Sequence, residues 1–429
     1  MAHSAVLCGA VVKRRDAPVC ASCHRWTRGF LTVSRESAAV SPSAPSLTDR
    51  LEAAGVDGYL VDADGEDSNQ YYLSGYHAPD DFVTLYADGR VSLLVSPLEY
   101  SRARTESDGD DVYDTTAYGD DEETDDDPRV ASKQVTAAFV AAAGVDSVLV
   151  PASFPVSTAD VLREAGVGVA WDDAYALEDI RAVKSDAEVE HVAAAQDANE
   201  AAMALVEDLL ARAVVEDDVL VLDGDVLTSE RVRERVEIAL LERGCRLDDC
   251  IVAAGPAAAR GHDSGSGPLE ANEPIVVDIF PRDIETRYFA DMTRTFVKGE
   301  PDARTREWYE LTVEAFEAAL DAIAPGVSGE AVHDAVCDVY EDAGYPTLRS
   351  DDGTQDGFTH ATGHGVGLDV HEAPYLAPEG GELAAGNVVT VEPGLYEQGV
   401  GGVRLEDLVV VTDDGYENLT EYPRDLRVL

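Results

Sequence analysis

The chain has 429 residues, enough for two or three domains. Its 85 acidic and 32 basic side chains leave a net charge of -53, yet 45 % of residues are apolar, so the pairing of high charge with low hydrophobicity that marks disorder is absent. A surface this negative repels nucleic-acid phosphates and anionic lipid, which excludes both as partners.

Only Lys13, Lys133, Lys184 and Lys298 are lysines, and the acids are spread along the whole chain. This composition reads as adaptation to molar salt, where the Debye length is about 3 Å and self-repulsion is screened. No stretch reaches the ~18 apolar residues of a membrane span. The apolar run Ala5 to Val12 has Lys13, Arg14 and Arg15 after it, whereas a signal peptide carries its charges before. A cytoplasmic protein is expected.

Residues 1–44 differ in character from the rest. Through Arg35 they hold six basic side chains, a single acid (Asp16) and three of the six cysteines. Cys20-Ala-Ser-Cys23-His24 has the form of a haem-attachment site or half a zinc site, but no second cysteine pair follows. A disordered extension from a start codon set too far upstream is the expectation. Cys245, Cys250 and Cys337 are expected as free thiols.

From residue 45 an α/β domain is predicted to run to about 175. It opens with an amphipathic helix near Leu47 to Ala54 and the apolar run Gly58 to Val61. Strands Phe82 to Tyr86 and Val91 to Val95 follow, joined through a turn at Ala-Asp-Gly-Arg. Glu106 to Asp127 carries 12 acids in 22 residues; it reads as a solvated loop, since calcium needs alternating ligands around a glycine turn. Val148 to Val150 and Val167 to Ala170 read as further strands.

A linker is expected over 176–184 and a second domain over 185–429. Ser185 with Glu188 is a capping box opening a long helix. Further helices are predicted at Glu230 to Leu241, at Arg304 to Ile323, and from Ser328 as N-cap to Gly344.

The strands between and after these helices hold the chemistry. VVDIFPRDIETRYFADMTRTF (276–296) reads as two strands around a polar turn, with Asp278 on one and Asp291 on the other. VVTVEPGLY (388–396) and GGVRLEDLVVVT (401–412) repeat the arrangement with Glu392 and Glu406. Burying an unpaired carboxylate costs several kcal/mol, and Arg294 and Arg404 offset only part of four such charges. Two hairpins, each delivering one acid per strand, imply an internal two-fold repeat around two divalent ions. A fifth ligand, His364, comes from HATGHGVGLDVHE (360–372), where Gly363, Gly365 and Gly367 let the backbone come close. Such an oxygen-rich, single-imidazole set suits manganese, cobalt, zinc or iron. Singly, each motif has a plainer explanation: a lone buried Asp can pair with Arg, and Gly-x-Gly-x-Gly lacks the Lys-Ser/Thr of a phosphate loop.

The order Asp278, Asp291, His364, Glu392, Glu406 resembles the pita-bread metallopeptidases, and HATGHGVGLDVHE resembles the Xaa-Pro peptidase signature of aminopeptidase P and prolidase. The upstream domain is similar to the creatinase-type N-terminal domain of proline peptidases. The resemblance implies an α/β creatinase-like domain followed by an α+β pita-bread catalytic domain, two divalent ions with manganese foremost, proline-containing peptides as substrates and a homodimer. It makes Asp278, Asp291, His364, Glu392 and Glu406 the metal ligands. His262 and His371 match active-site histidines, expected to donate to the oxyanion. Glu392 is the expected proton shuttle, while His360 and Arg404 flank the substrate. Two positions depart from the family pattern. Asp278 and Asp291 are 13 apart where 11 is common, implying a longer tip at Arg282 to Arg287, and Ala361 stands where glycine is usual. The same fold hosts metal-free creatinase and non-catalytic binding proteins, which tend to lose the acids.

Overall fold

A computed structural model describes residues 46–119 and 127–429. The readings of residues 1–44, including the Cys20–His24 motif, lie outside the described residues.

The chain enters through α1 (Leu47–Ala54). Its N-cap Ser46 and Asp49 form a reciprocal capping box, and Gly55 ends it in a left-handed turn. Then come β1 (Gly58–Ala63), α2 (Ser68–Ser74), β2 (Phe82–Ala87), β3 (Arg90–Val95), α3 (Tyr100–Glu106), β4 (Asp111–Asp114), α4 (Pro128–Ala142), β5 (Ser147–Val150), α5 (Val156–Glu164) and β6 (Gly168–Trp171). The strands form one mixed six-stranded sheet in the order β4-β3-β2-β1-β5-β6. Part of the acidic stretch expected as loop is therefore the edge strand β4, paired in parallel with β3. An edge strand exposes one flank to water, so it tolerates charges that a central strand would not.

Residues 176–184, expected as a linker, instead hold helix α6 (Ala176–Ala182). Ala176 and Leu177 are buried with Leu47, Leu51 and Tyr59. Helix α7 (Asp186–Arg212) follows, opened by the Ser185/Glu188 capping box as predicted.

The second region is built twice. After a small meander of β7 (Val214–Glu216), β8 (Val219–Leu222) and β9 (Asp225–Val226), the first half holds α8 (Ser229–Leu241), β10 (Cys245–Arg246), β11 (Cys250–Ala254), β12 (Pro274–Ile279), β13 (Arg282–Asp283) and β14 (Met292–Val297). The second half holds α9 (Ala303–Ala322), α10 (Gly329–Asp342), β15 (Gly363–Gly365), β16 (Glu372–Leu376), β17 (Val388–Val391), β18 (Gly394–Glu397), β19 (Gly401–Arg404), β20 (Asp407–Thr412) and β21 (Gly415–Asn418); β22 (Arg427–Val428) closes the chain.

Helices α7 and α8 bury Met203, Val206, Val232 and Val236 against Val252, Val277 and Phe296 of the sheet β11-β12-β14-β22. Helices α9 and α10 bury Phe316, Val332 and Val336 against Val389 and Val409 of the sheet β16-β15-β17-β20-β21. Two helices over antiparallel strands thus occur twice, which is the internal two-fold repeat inferred from the paired acids. Each core is apolar, and the acids collect where the two halves meet.

Among the described residues, two groups of ion pairs join the two regions. At the first, the hairpin tip between β12 and β14 reaches the N-terminal sheet region, where Arg282 and Arg287 donate to Glu66 at 2.9 and 3.0 Å. The longer tip therefore serves contact with the first domain. At the second, buried Arg181 pairs with Asp369 at 2.6 Å and Glu372 at 2.8 Å, and Lys184 with Glu372 at 2.5 Å. These pairs grip the loop on either side of His371.

Candidate metal centre

Strand pairing brings the predicted acids together. Strands β12 and β14 are antiparallel with Asp278 opposite Thr293, and Asp291 stands one residue before β14 begins. The second pair differs from the expectation of two unbroken strands. The chain leaves β17 at Val391, and β18 pairs with β19 while β17 pairs with β20. Glu392 and Glu406 occupy the two breaks. At a break the side chain is freed from the alternation of a sheet face, so both carboxylates turn inward. Glu406 is fixed from the opposite half: its backbone N–H donates to Thr293 O at 3.1 Å, and Thr293 Oγ1 donates to its Oε2 at 2.7 Å.

His364 lies on β15, squeezed between β17 and β16. A Cβ at Gly363 would stand 2.0 Å from Thr390 O, and one at Gly365 would stand 2.2 Å from Ala373 O, so only glycine permits this approach. His364 Nδ1 lies 3.1 Å from Gly365 O. Nδ1–H donates to that carbonyl, which leaves the lone pair on Nε2, 3.5 Å from Glu392 Oε1 and 3.8 Å from Asp291 Oδ2. Ligand atoms of Asp291, His364 and Glu406 all lie within 4.8 Å of one another. Asp278, held by Arg404, lies near enough for its charge to act on Asp291, Glu392 and Glu406.

The electrostatics are those of a cation site. Burial and the neighbouring acids push Asp291 and Glu406 well above the carboxylate range, and burial lifts Glu392 to about 8. Burial, with His371 close by, lowers His364 to about 4 and keeps it neutral. Asp278 Oδ1 and Asp291 Oδ1 are buried without a hydrogen-bond partner, a costly state for carboxylates. Buried acids raising one another, two orphaned oxygens and a neutral imidazole with its lone pair inward together fit divalent metal.

Arg404 is the cation that reaches these acids: it donates to Asp278 Oδ2 at 2.6 Å, to Thr293 Oγ1 at 3.1 Å and to the Tyr396 hydroxyl at 3.2 Å. Arg294, grouped with it in the sequence, faces the other way. Side chains alternate along β14, so Thr293 looks into the centre and Arg294 looks out of it. Tyr396 in turn lies 2.9 Å from His360 Nε2, whose Nδ1 meets Ala361 O at 2.7 Å. The proton of Nδ1 therefore goes to Ala361 O, Nε2 accepts from Tyr396, and burial lowers His360 to about 3.

His371 packs edge-on against His364 with ring centroids 4.3 Å apart. His262 is exposed on a turn at φ 60°, close enough for its charge to depress His371 and His360. Two members of the site went unread in the sequence, Thr293 and Tyr396. The two-residue period that links Asp291 to Thr293 is the signal that finds the first, while the strand break at Glu392 hides the second.

The Metallopeptidase family M24 profile matches residues 190–413, just over half of the chain. The chain belongs to metallopeptidase family M24. The Creatinase/Prolidase N-terminal domain profile matches 45–183, which takes in helix α6. An Xaa-Pro dipeptidase of Pyrococcus horikoshii is 26% identical over 382 residues, covering 88% of this chain and 96% of that one. The probable dipeptidase PepE of Mycobacterium tuberculosis is 34% identical over 277 residues, 64% of each chain. Among solved structures, the prolidase from Pyrococcus horikoshii superimposes with a TM-score of 0.71 at 25% identity, covering 88% of this chain and 97% of that one. The Xaa-Pro dipeptidase from Bacillus anthracis has the same fold, with a TM-score of 0.74 at 24% identity over 88% and 97% of the two chains. An M24 catalytic region behind a creatinase-type N-terminal domain is thus the architecture of this protein, as the order of its motifs implied. Among the described residues no helix is long and apolar enough to cross a membrane.

Proposed function

We propose that this M24 protein hydrolyses the bond before proline in short peptides, as an Xaa-Pro dipeptidase or aminopeptidase, with Asp278, Asp291, His364, Glu392 and Glu406 holding two divalent ions. The convergence of these five side chains carries the reading. Bound there, the ions supply an activated water and polarise the scissile carbonyl. Manganese is the ion we favour, with cobalt, zinc and iron as alternatives of similar donor preference.

Glu392 is the least buried of the acids around His364, which places it to pass a proton to the departing proline nitrogen. His371 and His262 stand at the mouth of the site, where an N–H from each donates to the carbonyl oxygen as charge develops on it. Arg404, tied to Asp278 and Tyr396, holds that acid turned into the site. His360 and Tyr396 form the wall that the peptide meets. The names of the relatives favour dipeptides over longer chains. Retention of all five donors argues against a metal-free creatinase or a binding protein. We further propose domain limits of 45–183 and 185–429, cytoplasmic location, a homodimer, and an acidic surface suited to molar salt.

The test is release of the N-terminal residue from Xaa-Pro and Xaa-Pro-Yaa peptides, with manganese in molar NaCl. Chelator-sensitive release supports the proposal, and faster release from Xaa-Pro selects the dipeptidase form. Urea release from creatine without metal, or peptide binding without turnover, overturns it.

A further inference from the structure

Among the described residues, Arg294 is the largest side chain that the fold buries completely. It faces away from the metal centre, and none of the proposed catalytic steps uses it. Its guanidinium carries five N–H donors in a fixed plane, and every one is taken. Nε donates to Pro423 O at 2.8 Å. Nη1 donates to Thr293 O at 2.9 Å and to Glu406 O at 2.6 Å. Nη2 donates to Asp407 Oδ1 and to Tyr422 O, both at 2.8 Å. Asp407 is also fully buried, and its other oxygen takes Arg424 Nε at 2.9 Å and Asn418 Nδ2 at 2.7 Å.

Glu406 sits at the break between β19 and β20, where two different sheets diverge and regular pairing holds it only through its own N–H. Its carbonyl points out of the centre and ends on Arg294, which grips Thr293 O with the same nitrogen. Thr293 is the residue whose hydroxyl aims the Glu406 carboxylate. One guanidinium therefore sets the spacing of the two backbone units that place this carboxylate, and it draws the C-terminal segment at Tyr422 and Pro423 across the back of the site.

We propose that Arg294 is a positioning residue for Glu406, acting on metal affinity from behind the centre through Thr293 O and Glu406 O. This rests on the reading of Glu406 as a metal ligand. Lysine has three donors on a flexible stem and cannot reach five acceptors in one plane, so R294K keeps the charge and loses the geometry.

The test compares wild type, R294K, R294M and the double variant R294M/D407N in molar NaCl. The readouts are the Co2+ dissociation constant by equilibrium dialysis, the visible spectrum of the Co2+ form and the urea midpoint of metal-free protein. R294K and R294M are expected to bind Co2+ about 10- to 100-fold more weakly with an altered spectrum, the range found when a group that orients a ligand is removed. R294M/D407N removes the Asp407 charge as well, and is expected to bind Co2+ as weakly as R294M, since the carbonyls of Thr293 and Glu406 still lack their guanidinium. Should R294M fail to fold, the double variant carries the test. Folded variants that bind Co2+ like wild type overturn the proposal, as does affinity that recovers in step with the urea midpoint. Wild-type protein that takes up no Co2+ overturns the ligand reading together with it, whereas wild-type uptake matched by the variants overturns the positioning role alone.

Discussion

Acids gather around a lone arginine in two regions of this protein. On α10, Asp334, Asp338 and Glu341 project at helical spacing and are collected by Arg349, at 2.6 to 2.9 Å, with Asp338 exposed and Asp334 half-buried. In the centre, Asp278, Asp291, Glu392 and Glu406 have Arg404 as their cation. The ratio of acid to base is similar and the consequence is opposite. Outside, water and dissolved ions screen the excess charge, so the cost of three neighbouring acids shrinks as salt rises. Inside, mobile ions are shut out, Asp291, Glu392 and Glu406 hold their protons above the ordinary range, and only cations bound in fixed places relieve them. An acidic surface is thus a matter of solvent, and an acidic interior a matter of ligation.

The largest expected break of this contrast is at Glu392. Glu392→Gln should lower turnover of an Xaa-Pro peptide by about 100- to 10,000-fold with an unchanged circular dichroism spectrum; ordinary activity in this variant would remove Glu392 from the proton path. Next is the surface as a whole. In dilute buffer near 10 mM ionic strength, where the Debye length is about 30 Å, metal-free protein should lose its far-ultraviolet signal and regain it in molar NaCl. An unchanged spectrum would mean that the charge of -53 is not under salt control.

The interior is tested in molar salt, with the surface screened. The Glu392 carboxyl titrates at about 8 in the folded chain against an ordinary 4.5, so between those values the folded state holds a proton that the unfolded state has released. Stability of chelated protein should therefore be greatest near pH 4.5 and fall as pH rises toward 8, by about 1.4 kcal/mol per pH unit for each such proton. Urea midpoints at pH 5.5 and 8 measure the slope, and manganese should flatten it. A rising slope would contradict the buried-acid picture. The smallest effect is expected at Arg349. Arg349→Ala should cost no more than about 1 kcal/mol in 0.1 M salt and nearly nothing in molar salt; a salt-independent loss would show packing instead of charge.

Much of this was legible in the sequence. The Ser185/Glu188 box announced α7, Ser328 announced α10, and the order of four acids and a glycine-flanked histidine carried the site, because ligand type and close backbone approach are written in residue identity. What escaped was where strands stop. VVTVEPGLY and GGVRLEDLVVVT read as two continuous strands, yet both break at their glutamates, since partners on different sheets compete for each half. Helix α6 was missed because its apolar face is short and is completed by α1, more than 120 positions upstream.

The sequence by itself determined which donors are present, how they are ordered and how acidic the exterior is, since these depend on composition and local spacing. Tertiary structure decided which arginine serves the acids. Arg404 and Arg294 stand beside ligand strands in equal measure, but one turns into the centre and the other is locked behind it. A side chain's face depends on where its strand is paired, and pairing partners are set by contacts far away along the chain.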